Sequence, residues 1–379
     1  MIKKTKNKKI AYALWGTTLS LLAISTAAIP PALLVQKTSK PTELSTILFN
    51  KNIHKHSSLQ WWLWSHRKIN KKHKKQYPQD AYSANEYTSL NNKEWMKKLD
   101  DSKSIAEVNI PGTHDSAMYD GYGWAYFFGK PWAKTQSKNF AEQLKQGIRY
   151  FDLRINQNLE LIHGITYSKT NFQEVLGIFS QFLAQNPSEF LMVRIKSENY
   201  KGNNRSWFEK DYENKVFNQL KNYSNQLYKN NEIRKPGWPT VGEMRGKMII
   251  FNNLNDHISN NTDFGPKWNE SFKHGSAWFT IQDDYKSFSY AKLNTIINHS
   301  ALSNNKWGKN NLFINHISHS NWRSTVWAFN TWMLEHVQDW IDIWNKADKQ
   351  RNFGVVVMDY PGDGMVQRII DLNKKSIKK

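Results

Sequence analysis

Eight short apolar runs between residues 101 and 361, each breaking into polar or titratable residues, constrain what this chain can fold into more than any other feature. In order they are "AEVNIPGTHD", "IRYFDLRI", "LELIHG", "FLMVRIKSE", "KMIIFNN", "WFTIQDDY", "NLFINHIS" and "FGVVVMDYP". Segments of helical period separate several of them, such as "FQEVLGIFSQFLAQNP" after the third and "TWMLEHVQDWIDIWNK" before the eighth. Strand-like runs alternating with helical segments predict βα units and a parallel sheet. Eight of them predict an α/β fold, a distorted (β/α)8 TIM barrel. The link between the second and third runs is too short for a full helix, so the barrel is expected to be irregular.

In such a barrel the C-terminal strand ends carry the chemistry. Here they carry His114 and Asp115, then Asp152 and Arg154, His163, Lys196 and Glu198, Asp283 and Tyr285, and Asp359. Any one of these reads equally well as a solvated strand end. Their recurrence at the same relative position points to a shared mouth.

The net charge of +21 is concentrated at one end. Residues 1–79 hold 15 Lys and Arg against one acid, Glu43, and so account for +14 of it. The rest of the chain is only mildly cationic, which argues against a nucleic-acid groove. "KKTKNKK" followed by an uncharged stretch from Ile10 to Gln36 reads as an export signal, 1–36, either cleaved near Ser25-Thr26-Ala27 or kept as a membrane anchor. Either outcome places the body outside the cell or on the outer side of its membrane. Residues 37–93 read as a polar basic arm, in which Trp61, Trp62 and Trp64 precede a Lys-rich run suited to an anionic membrane surface or to local packing. The absence of Cys excludes disulfides, thiolate metal sites and a Cys nucleophile.

"IPGTHDS", "RYFDLRI", "LIHG", "IQDDY" and "VVVMDY", in that order, resemble the bacterial phosphatidylinositol-specific phospholipase C family and its X domain, over residues 94–379. The resemblance implies a distorted barrel that cleaves phosphatidylinositol, or its glycosylated form, to diacylglycerol and inositol 1,2-cyclic phosphate. By that resemblance His114 is the general base, oriented by Asp359, and His163 with Asp115 is the general acid. Arg154 holds the phosphate and Asp152 fixes Arg154, while Lys196, Asp283 and Tyr285 contact the inositol. An Arg that the family carries falls on Asn253, which leaves the headgroup open. Glu198 reads as a support for Lys196 or as a solvated residue. His257, His274, His299, His316, His319 and His336 match no catalytic motif and read as bystanders.

No cofactor is expected, and metal independence is expected because these motifs offer no cluster of hard oxygen ligands. The expected partner is a membrane phospholipid, with no nucleic acid, and the chain is expected to be a monomer. Two alternatives remain. A metal-dependent glycerophosphodiester phosphodiesterase would need a Glu-rich first motif that "GTHDS" lacks, and a membrane-binding or adhesion protein could keep the barrel without the activity.

Overall fold

The computed structural model describes residues 90–199, 211–229, 237–254, 265–268, 273–274, 277–285, 287, 289–306, 308, 310–319, 325–345 and 352–374. The expected export segment, and the arm as far as residue 89 with its three Trp, lie outside these residues, as does His257. Among the described residues no helix is long and apolar enough to cross a membrane.

The parallel strands are β1 (Ile110–Thr113), β3 (Tyr150–Ile155), β6 (Leu191–Ser197), the two-residue β7 (Leu227–Tyr228), β8 (Met248–Asn253), β10 (Ala277–Gln282), β11 (Asn311–His316) and β12 (Val355–Met358). They hydrogen-bond side by side in the order β10, β11, β12, β1, β3, β6, β8, β7. β1, β11 and β12 are buried along their whole length, as strands covered on both faces must be, which explains their unbroken apolar runs. Gly112 lets β1 approach β3 closely, since a Cβ there would meet Tyr150 Cβ at 2.8 Å. After helices α1 (Gly123–Ala133) and α2 (Phe140–Gln146), helix α3 (Phe172–Gln185) shows the packing of the outer layer. An Asn171–Glu174 capping box starts it, and Phe172, Val175, Leu176, Phe179 and Leu183 face the strands.

The ladder is open on one side. Among the described residues nothing hydrogen-bonds β10 to β7 or β8, and rings fill the gap instead. Trp238 and Phe279 lie 4.9 Å apart, Phe251 and Phe279 lie 5.1 Å apart, and Trp238 Nε1 donates to Trp278 O at 3.0 Å.

Seven of the eight expected runs are staves of this barrel. The third is not. "LELIHG" forms β4 (Glu160–His163), antiparallel to both β3 and β5 (Thr166–Asn171), and the two-residue strands β2 (Gly121–Tyr122) and β9 (Lys273–His274) pair antiparallel with β5 and β10. The cause of the turn into β4 is local: Asn156 Oδ1 accepts from the backbone of Asn158 at 2.9 Å and of Glu160 at 3.0 Å, turning the chain straight back. So short a turn cannot make the crossover that a parallel neighbour requires.

Two-residue alternation sorts the inward face by height. Tyr150, Met192 and Phe251 join the buried cluster inside the barrel. Their same-face successors towards the C-terminal end are Asp152 and Arg154, Arg194 and Lys196, and Asn253. A polar layer therefore sits on an apolar floor.

Candidate active site

β1 ends where its ladder with β12 ends, and the His114 backbone N–H donates to Met358 O at 2.9 Å. Asp115 then takes a left-handed φ of 44°, a conformation that costs a non-glycine residue energy and lets the chain turn between two neighbouring functional side chains. His114 Nδ1 is 2.9 Å from Asp359 Oδ1, while Asp115 Oδ2 is 3.4 Å from His163 Nε2. The neighbours in sequence thus serve different histidines.

The tautomer of His114 follows from its surroundings. An Arg154 Nη2–H points at Nε2, so that nitrogen carries a lone pair and Nδ1 carries the proton, donated to Asp359. Burial and the Arg154 guanidinium hold His114 well below the ordinary imidazole value. Burial also pushes Asp359 up, but with Nε2 facing an N–H donor the shared proton stays on Nδ1. His163 comes from the β4–β5 hairpin, and its Nδ1 donates to Ala133 O at 3.0 Å, leaving Nε2 towards Asp115. The two imidazoles are 6.5 Å apart and nearly perpendicular.

Arg154 lies between them. Its guanidinium is 3.2 Å from Asp115, 3.4 Å from Asp152 and 3.0 Å from Glu198. Three carboxylates stabilise its charge and push it well above its ordinary value in spite of burial. Asp152 is fully buried yet held well below the carboxylate range, because Arg194 and Arg154 both face it. Glu198 is held at about 2 against its burial by Arg154 and Lys196, and it also accepts from Gly164 N at 2.7 Å, which ties the hairpin to β6. It is a buried brace rather than a solvated residue. Burial and Arg154 lower Lys196, whose Nζ is 3.1 Å from Glu198. Asp115 is pushed up to about 6 by burial.

Asp283, partly exposed, is 3.8 Å from Arg194 and 3.7 Å from His316, and these two hold it low against its partial desolvation. Tyr285 is exposed at the rim. The structure therefore gathers His114, Asp115, Asp152, Arg154, His163, Lys196 and Asp359 in one cluster. Asp283 joins it through Arg194, with Tyr285 two residues further out.

The sequence reading passed over three features. His316 is no bystander in position, since it is buried with its ring 6.1 Å from that of His114. Arg194 faces inward two residues before Lys196, and the alternation that paired Asp152 with Arg154 could have marked it. Helix α1 (Gly123–Ala133), whose final carbonyl holds His163, exposes Trp124, Phe127, Phe128 and Trp132, so that a large apolar face stands beside the mouth.

Comparison with known proteins gives a consistent result. The model of the phosphatidylinositol-specific phospholipase C X domain matches residues 108–253. A 1-phosphatidylinositol phosphodiesterase of Listeria monocytogenes is 30% identical over 303 residues, covering 78% of this chain and 90% of that protein. One from Staphylococcus aureus is 28% identical over 319 residues, covering 77% and 97%. The solved phosphatidylinositol-specific phospholipase C from Listeria monocytogenes superposes with a TM-score of 0.65 at 27% identity, covering 75% of this chain and all of that one.

Proposed function

This chain belongs to the phosphatidylinositol-specific phospholipase C family, and we propose that it is a phosphodiesterase that cleaves phosphatidylinositol, free or glycosylated, to diacylglycerol and inositol 1,2-cyclic phosphate. The observation that carries the reading is the pair of histidine–carboxylate couples, His114–Asp359 and His163–Asp115, set on either side of Arg154.

In this reading His114 Nε2 takes the proton of the inositol 2-hydroxyl, and the resulting oxygen attacks phosphorus. The phosphorus–oxygen bond to diacylglycerol breaks, and the leaving alkoxide takes the proton of the His163–Asp115 couple. Asp359 stabilises the imidazolium formed on His114. Arg154, now donating to His114, turns those N–H groups to the phosphate oxygens as charge builds on them, which frees Nε2 for the hydroxyl. Asp152 and Glu198 fix its plane.

No metal enters this scheme. Asp115, Asp152 and Glu198 close on a guanidinium rather than on open space, and this disfavours the metal-dependent glycerophosphodiesterase alternative. A purely adhesive protein would have no use for a buried histidine held in one tautomer. The exposed aromatic face of α1 beside the mouth supports action on lipid at a membrane surface, with the basic arm as a further contact. The N-terminal pattern supports an enzyme exported from the cell or anchored on its outer side.

The test is diacylglycerol release from phosphatidylinositol vesicles. His114→Ala and His163→Ala should each lower kcat by about 10²–10⁴-fold in folded protein. Retention of the wild-type rate in either variant overturns the mechanism.

A further inference from the structure

We infer that Arg194 and His316 form a subsite for the ring hydroxyls of an uncharged polyol headgroup, next to the catalytic histidines. The inference rests on the function proposed above and identifies which side chains of this chain would hold its substrate.

Arg194 is opposite Asp152 of β3 and Phe251 of β8 in the strand register, which puts it on the inward face. Its guanidinium lies over Trp268, with Cζ 4.4 Å from the ring centroid. With the Asn253 amide turned so that its oxygen faces the guanidinium, Nη2 and Nε donate to that oxygen at 2.8 and 3.2 Å. Nη1 has no hydrogen bond, although it is 3.5 Å from Asp152 Oδ1 and 3.8 Å from Asp283 Oδ2. Asp152 Oδ1 also lacks a hydrogen bond. His316, at the end of β11, is fully buried with neither ring nitrogen hydrogen-bonded, and its ring is 6.1 Å from those of both His114 and Trp268.

Folded proteins leave few buried polar atoms unpaired, because each forfeits its bonds to water. Here four come together from three strands beside the groups that would act on phosphorus. Nη1 donates, Asp152 Oδ1 accepts, and a neutral imidazole offers one nitrogen of each kind. Hydroxyl groups, which both donate and accept, match that mixture. The charges around it are matched to one another, Asp152 with Arg194 and Arg154, Asp283 with Arg194 and Lys292, and Glu198 with Lys196, so the subsite suits uncharged hydroxyls better than a second phosphate. The ring of Trp268, already covered by the guanidinium, holds Arg194 in plane. It keeps the donor aimed at the subsite.

The test measures kcat and KM of the full chain on phosphatidylinositol in mixed micelles, together with competitive inhibition by free myo-inositol. Arg194→Met and His316→Phe should raise KM and the inhibition constant by about tenfold or more, as loss of a hydrogen bond to a charged or buried partner does, with kcat changed by less than about threefold. Arg194→Met combined with Asn253→Arg supplies the guanidinium from the neighbouring strand and should recover most of the loss. Unchanged KM and inhibition constants, a fall in kcat alone, or no recovery in the double variant overturns the subsite. Circular dichroism checks the fold, and if Arg194→Met does not fold, Arg194→Lys and His316→Phe decide. A wild-type chain inert towards phosphatidylinositol overturns the proposed function instead, so the two failures are distinct.

Discussion

Asp115 combines strain, burial and charge in a single side chain. Its φ of 44° turns the chain, and burial pushes its carboxyl from 3.8 up to about 6. A carboxyl raised in this way holds its proton more tightly folded than unfolded. Its stabilising contribution is therefore full at low pH and is lost as pH rises through about 6. Asp115→Asn removes that loss, so the melting temperature of the variant minus that of wild type should grow between pH 4 and pH 7, even as turnover falls. A difference that stays flat or shrinks contradicts the burial of an ionised carboxylate there. Asp152 and Glu198 have the opposite sign, being held low by arginine and lysine, and their contribution is lost only as pH falls through their lowered values.

At the scale of elements, the sequence marked strands better than it marked what lies between them. Apolar runs ending in polar residues placed seven staves correctly. The third run failed because a short Asn-directed turn made a hairpin, and nothing in the apolar pattern of "LELIHG" separates a hairpin arm from a stave. His163 nonetheless reaches the mouth, because β4 returns towards β3 and the last carbonyl of α1 receives its Nδ1–H. Helix α1 escaped notice because "GWAYFFGKPWA" is apolar on most of its surface and so looks like core. Its exposed rings suit a lipid interface, where each buried aromatic is worth about 1.5–3 kcal/mol. Trp124→Ala with Phe127→Ala should weaken vesicle binding by about tenfold or more and leave turnover of a soluble phosphodiester substrate unchanged. Equal loss on both substrates would make α1 a structural element only.

Across the whole molecule, the site is assembled from strand ends distant in sequence, and apart from the contacts of His163 it depends on the parallel register. Asp152 faces Arg194, Arg154 faces Lys196 and Lys196 faces Asn253 across adjacent staves, so the polar layer follows once the strands are in place. Residue type and strand position made His114, Arg154 and Asp359 legible in the sequence. Arg194 and His316 were not, because a cation and an imidazole inside apolar strands show their purpose only through unpaired atoms in three dimensions. The central claim is that two histidines and an arginine, without a metal, make an intramolecular attack on phosphorus. Phosphorus NMR of phosphatidylinositol vesicles treated with the protein in excess chelator tests it most directly. The account predicts the resonance of a five-membered cyclic phosphate accumulating as lipid phosphodiester disappears. Loss of turnover that calcium restores, or a phosphomonoester formed with no cyclic intermediate, would contradict it.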